Sequence, residues 1–415
     1  MKKKVAVGLS GGVDSAIAAA LLIDQGYKVT GIHLTCYNDS TCRADKDRQD
    51  ALRIALQLKI PFKILDFRKI YKQKVLKYFF TEYKKGRTPN PDIVCNQVIK
   101  FGLFYDWALE NSFDFVATGH YARILKCSKE HNSSFDCKRS KTRKHGKSLQ
   151  ERKLVHSYVA KLRHHAVGQV ATLSRSSRTS FLECLVASVC LAMPRDKIKD
   201  QTYFLYRLKQ KQLKHLLFPL GDLTKTQVRK IAKQKKLPVA NKKDSTGICF
   251  VGELNVRNFL KEKLGEREGE VVNVQGKIIG KHPGHWFFTI GQRHGWQRQA
   301  NIGNVSKFYV INKNKKKNQL VVGTRGKAKR KEFQLEDIHW INNQLKVKLP
   351  TSGKKLKTYV RIRHGGKLLS CQLLVINHQL VKVKLDESAF GVAPGQSAVF
   401  YQDGIALGGG IIADT

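Results

Sequence analysis

Over the first 121 residues short apolar stretches alternate with amphipathic ones, and this alternation constrains the fold more than any other feature of the chain. The stretches "KVAVGL", "KVTGIHL", "PFKILDF" and "FDFVATGHY" read as strands, while "DKDRQDALRIALQLK" and "KIYKQKVLKYFFTEYKKG" read as helices. Strand and helix in alternation imply an α/β domain with a parallel sheet covered on both faces. Ligands of such sheets bind at the carboxyl ends of the strands. There "GLSGGVDSAIAAALL", residues 8 to 22, leaves the first strand. Gly11 and Gly12 permit a tight turn, and the Ala- and Leu-rich run from Asp14 predicts a helix whose free N–H groups and positive dipole end point back at that turn. Ser10 and Ser15 add hydroxyl donors. The turn is therefore a candidate anion site, and "ATGHY" at 117 to 121 would lie at the same edge of the sheet. A bare glycine pair is also compatible with an ordinary strand-to-helix connection.

A chain of 415 residues exceeds what one core usually holds, so two or three domains are expected. Seventy-seven Lys and Arg face only 32 Asp and Glu, a net charge of +45 that suggests a polyanionic partner, because distributed basic side chains gain from phosphate neutralisation and counterion release. After "MKKK" the apolar run is broken by the glycines and Asp14 before it reaches signal-peptide length, and no transmembrane span is readable, so a cytoplasmic protein without a membrane partner is expected. Nine cysteines at irregular spacing are poorly read as a disulfide framework. The nearest approach to zinc spacing is Cys36 and Cys42, and no metal site is expected.

Residues 126 to 197 break the α/β pattern with Ser-, Arg- and His-rich text of net charge +11, followed by the apolar "FLECLVASVCLAM". A poorly ordered basic insertion is expected there. Helical text resumes from Lys199 to about Leu264, including "DLTKTQVRKIAKQKKL", where Thr224 resembles an N-cap, and implies a small helical or mixed connector. Beyond about Gly269 short alternating strands separated by Gly and Asn predict a β-barrel or sandwich.

Several separated phrases then acquire meaning together: "SGGVDS", "GRTPNPDIVCNQVIKF" at 86 to 101, "ATGHY", "KDQTYFLYRL" at 199 to 208, "DSTGICFVGE" at 244 to 253, "TIGQRHG" at 289 to 295 and "PGQSAVFY" at 394 to 401. With them the chain closely resembles the bacterial tRNA-specific 2-thiouridylases, which belong to the PP-loop ATP pyrophosphatases. The resemblance covers nearly the whole chain except roughly Cys127 to Leu191. It implies a Rossmann-like, parallel-sheet PP-loop domain over 1–205 that carries the basic insertion, a small central connector domain over 206–268 that carries a second functional cysteine, and a tRNA-binding C-terminal β-barrel over 269–415.

The activity implied is replacement of a uridine C2 oxygen by sulfur at the wobble position of tRNA. ATP adenylates the carbonyl oxygen and releases pyrophosphate, and a cysteine persulfide then delivers sulfur. By resemblance Gly8, Leu9, Ser10, Gly11, Gly12, Val13, Asp14 and Ser15 bind ATP, and Leu34 and Gly119 line the adenylate pocket. Mg²⁺ is implied by triphosphate chemistry and not by any ligand motif. Cys249 would carry the persulfide, Cys95 would be the nucleophile that forms a disulfide with it, and Asp92 would be the acid/base that also contacts the uridine. The tRNA contacts implied are Asn90, Pro91, Asp92, His120, Lys199, Asp200, Gln201, Arg361, Ile362 and Gln396. A sulfur donor protein, either a cysteine desulfurase or a persulfide relay, is implied as a partner, and a monomer is expected.

Each of these residues has a plainer reading. A lone cysteine is most often a small buried apolar residue, and that reading is kept for Cys36, Cys42, Cys127, Cys137, Cys184, Cys190 and Cys371. Asp92 alone would cap the following helix, "TPNP" would be a rigid turn, and His120 would be a satisfied core histidine. Adenylation of a different carbonyl, as in GMP synthetase or argininosuccinate synthase, leaves the two cysteine motifs and the basic surplus unexplained. A catalytically dead RNA-binding protein would show decay in the turn or loss of a thiol, and both are intact.

Overall fold

The computed structural model describes residues 1–37, 43–126, 189–244, 247, 249, 255–299, 307–342, 356–376 and 380–414. Strands β1 (Lys4–Gly8), β2 (Lys28–Thr35), β3 (Phe62–Asp66) and β4 (Phe115–Ala117) form a parallel sheet in the order β3-β2-β1-β4. Val5, Ala6 and Val7 of β1 are fully buried, as an uninterrupted apolar strand must be when both faces are covered. Helix α1 (Val13–Asp24) covers one face with α2 (Arg43–Gln57), and the Ala-rich surface of α1 packs against Val228 and Ala232 of the helix Lys225–Gln234. The opposite face is covered by two helical runs: Arg68–Tyr71, Lys72–Leu76 and Lys77–Lys84, then Pro91–Cys95, Asn96–Leu103 and Phe104–Glu110. Strand order reverses at β1. The crevice where ligands bind in such sheets thus lies between the carboxyl ends of β1 and β4, where residues 8–15 and 117–121 are found.

Short strands from the expected insertion and from the expected connector join the sheets. Most of the expected insertion 126–197 lies outside the described residues, but its end does not. Strand β5 (Arg123–Lys126) pairs antiparallel with β6 (Val189–Ala192), and Cys190, Leu191 and Ala192 are buried, because this short apolar run is long enough to form a strand. Part of the span 206–268 also joins the first sheet. Strand β7 (Leu216–Leu217) pairs parallel with β4 as the fifth strand of the first sheet. The helix that follows starts at Thr224, whose side chain accepts from the Gln227 amide while the Gln227 side chain accepts from the Thr224 amide.

The β-rich part is two units. The first holds β8 (Gly269–Val272), β9 (Ile278–His282), β10 (Gln297–Arg298), β11 (Tyr309–Asn314) and β12 (Gln319–Gly323) around Val271, Phe288, Val310 and Leu320. The second is a closed antiparallel barrel of β13 (Lys329–Trp340), β14 (Leu356–Arg361), β15 (Leu369–Val375), β16 (Val381–Phe390), β17 (Ser397–Gln402) and β18 (Ile405–Ile412). Strand β13 pairs with β16 up to Leu335 and with β18 from Leu335 onward, which closes the barrel. Strand β6 also pairs with β18, so the β5–β6 hairpin of the α/β domain extends the barrel's own hydrogen-bonded sheet. Buried polar contacts tie the units further. Arg361 Nη1 donates to Asp200 Oδ2 at 2.8 Å, and the Thr88 and Thr289 hydroxyls are 3.1 Å apart.

Candidate active site

At the end of β1 the chain turns through Gly11, at φ +74°, and packs so tightly on α2 that a Cβ there would fall 2.3 Å from the Asp47 carbonyl oxygen. Gly12 is the opposite case: a Cβ would meet only Ser10 Oγ, at 3.4 Å, so space is open above the turn. Gly12 caps α1 with extended backbone and no side-chain hydrogen bond, which leaves the first amides of α1 without intrahelical partners and fit to receive an anion. Ser15 spends its hydroxyl inside the turn, donating to the Gly12 carbonyl at 3.0 Å and accepting from the Ser10 amide at 3.2 Å. Leu9, Val13 and Leu34 have buried side chains, so Leu9 and Val13 offer the turn only backbone. Gly119 lets the β4 loop reach α1, since a Cβ would sit 2.7 Å from the Ser15 amide nitrogen.

The turn is ringed by paired charges that the sequence reading missed. Lys225 Nζ bonds Asp14 at 2.7 Å and Asp244 at 2.8 Å, and the Tyr121 hydroxyl donates to Asp14 at 3.0 Å. Asp244 also receives Lys199 and Arg229; burial works to raise its carboxyl, but Lys199 and Lys225 hold it below the ordinary range. Lys242 bonds Asp47, Asp50 and the Gly11 carbonyl. No spacing in the sequence links positions 14, 225 and 244. Among the described residues no group of three His, Cys, Asp or Glu is arranged to hold a metal ion.

The second centre joins the two cysteine motifs. Pro91 opens its helix at the first position, where a missing N–H costs nothing, and Asp92 follows. The Asp92 carboxylate does not cap its own helix: Oδ1 accepts from the Cys249 amide at 2.8 Å. The Tyr71 hydroxyl donates to the Cys249 carbonyl at 2.7 Å, so the backbone of Cys249 is gripped from both sides. Cys95 is fully buried, Cys249 is half-buried, and the two thiols pack in one core, close enough for each to shift the other's titration. Burial and then Cys249 push the Cys95 thiol well up. The Cys95 thiol outweighs burial at Cys249 and, with the nearby Lys100 ammonium, brings that thiol down to about 7. Burial raises Asp92, opposed by the Cys249 amide and Lys100. Cys36, read from sequence as a packing residue, is buried in the same core as Cys95, and its thiol is held high by burial and then by Cys249.

The residues expected to meet tRNA do not share one surface. His120, Asp200, Arg361, Ile362 and Pro91 are buried. His120 Nδ1 lies 2.7 Å from Thr118 Oγ1 and its ring packs on Phe101, the arrangement of a satisfied core histidine. Asp200 and Arg361 are each other's partners. Ile362 belongs to the barrel core. Asn90, Lys199, Gln201 and Gln396 are half-buried, and each already has a contact: Asn90 with the Tyr203 hydroxyl, Lys199 with Asp244, Gln201 with the Tyr121 amide and Gln396 with the Thr88 carbonyl.

Three family models match the chain: the tRNA methyl transferase HUP domain over 3–173 and 175–253, the tRNA methyl transferase PRC-barrel domain over 257–324, and the aminomethyltransferase beta-barrel domain over 330–412. The tRNA-specific 2-thiouridylase MnmA of Blochmanniella floridana is 37% identical over 99% of this chain and 96% of its own length. The proteins of the same name from Buchnera aphidicola and Staphylococcus aureus are each 36% identical over 99% of this chain and over 97% and 95% of their own lengths. The HUP-domain match spans the turn at 8–15 and both thiol motifs, and with full-length similarity at this level the chain belongs to the family of the tRNA-specific 2-thiouridylases.

Proposed function

We propose that the protein is a tRNA-specific 2-thiouridylase, a sulfurtransferase that uses ATP to activate a uridine C2 oxygen at the wobble position of tRNA and a cysteine persulfide to replace it with sulfur. One observation carries the reading: Cys95 and Cys249, 154 positions apart, meet in one core, where Asp92, three residues before Cys95, holds the Cys249 amide at 2.8 Å. Two thiols in contact are what transfer of sulfane sulfur requires, because one must carry it and the other must expel it.

In this reading the 8–15 turn receives the triphosphate, with backbone amides and the open space at Gly12 available to it. Asp14 would hold Mg²⁺, which is commonly bound by one or two carboxylates together with substrate phosphates and which supplies charge neutralisation when bound. The persulfide on Cys249 attacks C2 of the adenylated uridine through its outer sulfur. Cys95 then attacks the inner sulfur, so that the Cys95–Cys249 disulfide forms, the old S–S bond breaks and its electron pair becomes the C=S bond as AMP leaves. Asp92 takes up the proton released at the thiols. Two electrons from an external dithiol reopen the disulfide. The half-buried Asn90, Lys199, Gln201 and Gln396 are proposed as tRNA contacts, with the parallel-sheet domain as the catalytic body and the barrel as the tRNA-facing part. A monomer, a persulfide donor protein as partner and a cytoplasmic setting, where tRNA and ATP meet, complete the reading.

The test separates activation from sulfur transfer. Cys95→Ser and Cys249→Ser are each expected to lose thiolation, read by mass spectrometry of the tRNA, while ATP-dependent release of pyrophosphate persists. Full sulfur transfer by either variant would overturn the assignment.

A further inference from the structure

Lys100 takes no part in the sulfur-transfer steps above, yet the fold takes an irregular turn at its position. Between Cys95 and Phe104 the helix loosens: Asn96–Leu103 is a π-helical stretch between two α-helical ones, with Cys95 as its leading cap. In an α-helix, with 3.6 residues per turn, the fifth residue onward points well round the axis from the first. A π-turn bonds i to i+5 and brings that residue back over the first, an irregularity found often at functional sites. Cys95 and Lys100 are five apart. The turn thus places Lys100 one π-turn beyond Cys95, where its ammonium faces both sulfurs of the pair. Its neighbours Ile99 and Phe101 are fully buried and Lys100 itself is half-buried, so its charge is only partly screened by water.

We propose that Lys100 holds the Cys249 sulfur as an anion, and that this contact makes Cys249 the thiol that receives sulfur and Cys95 the one held in reserve. The proposal rests on the thiouridylase reading. The Lys100 ammonium faces that sulfur and favours negative charge there. Cys95 is fully buried, whereas Cys249 is half-buried and can be reached. The step this prepares is balanced. The Cys249 thiolate bonds to the outer sulfur of a donor persulfide, the donor's S–S bond breaks, and the donor leaves as a thiolate with that electron pair. Once the persulfide is formed, the same ammonium faces its anionic sulfur. The other groups facing the pair are Asp92 on the same helical run, Tyr71 from the opposite run and Cys36 beyond the end of β2, while neutral His120 faces Lys100 from the β4 loop. Burial holds His120 in its neutral form, with Lys100 adding to the effect. None of these supplies a second cation.

The experiment is the pH dependence of iodoacetamide alkylation at Cys249 in the full chain, followed by peptide mass spectrometry. The wild type should show a midpoint near neutrality. Lys100→Met should move the midpoint to at least the ordinary thiol range near 8.5, so that alkylation at pH 7 falls by about fifteenfold, and Lys100→Arg should restore most of it. Persulfide loading of Cys249 from a small-molecule polysulfide should fall and recover in parallel. An unchanged profile in Lys100→Met would overturn the proposal. Lys100→Gln serves if the Met variant does not fold, and pyrophosphate release reports that the fold is intact. If neither variant folds, the wild type decides alone, since a Cys249 midpoint at or above 8.5 is incompatible with the proposal. A Cys249→Ser protein that still thiolates tRNA would sink the thiouridylase reading itself, whereas an inactive Cys249→Ser with an unmoved Lys100→Met profile would sink only the role of Lys100.

Discussion

Replacing Arg361 by Met tests how the barrel is joined to the α/β domain. Arg361 lies in β14 at 8% exposure, and its guanidinium reaches Asp200, at 3% exposure, while stacking 5.1 Å from the Tyr401 ring centroid. Asp200 Oδ1 is separately satisfied by the Thr202 amide at 3.0 Å and the Thr202 hydroxyl at 2.6 Å. Removing only the arginine leaves Oδ2 as an uncompensated buried charge, which typically costs 3–5 kcal/mol, with the surviving bonds placing this case toward about 3 kcal/mol. At the usual entropy of unfolding for a domain of 150 to 250 residues, the full range lowers the melting temperature by roughly 6 to 20 °C. The assay is differential scanning calorimetry of the whole chain, read on the transition that involves the barrel, with tRNA affinity measured below that transition. Asp200→Asn combined with Arg361→Met should recover much of the loss, because no unpaired charge then remains. A single variant that melts within about 2 °C of the wild type but binds tRNA weakly would refute the argument, and would mean that the pair is open to solvent and RNA.

Gly12→Val keeps a backbone conformation that valine accepts, φ −101° and ψ 162°, while filling the open space above the turn. Pyrophosphate release should drop by about a hundredfold with tRNA binding retained, and normal ATP turnover would make the turn purely structural. Lys313 donates to the carbonyls of Gly86, at 2.9 Å, and Phe288, and burial, reinforced by Lys315, pulls its ammonium down to about 7. Between pH 7 and the ordinary lysine range near 10.4 the unfolded chain binds a proton that the folded one does not, so stability should rise with pH across that window and level off on either side. Lys313→Met should flatten the rise in thermal melts from pH 6 to 10, and a slope equal to that of the wild type would count against a buried, poorly charged lysine.

The sequence by itself determined the parallel sheet, the turn at 8–15, the capping of the helix at Thr224 and the β character of everything beyond Gly269, because each depends on local periodicity and turn chemistry. It also marked out Cys95, Cys249 and Asp92 by motif, although Asp92 read alone pointed to a helix cap. Tertiary structure alone decided what those residues do to one another. Asp92 turns away from its own helix to the Cys249 amide, and Cys95 meets Cys249 across 154 positions. Lys100 was passed over because five-residue spacing is silent in an α-helix and becomes a contact only where the helix opens into a π-turn. Two sheet strands were illegible for a related reason: strands as short as Leu216–Leu217 and Val189–Ala192 carry almost no periodic signal, and only partners already in place, β4 and β18, draw them into sheets. The Asp200–Arg361 pair was likewise illegible, since nothing in a sequence says which charges, 161 positions apart, will be buried against each other.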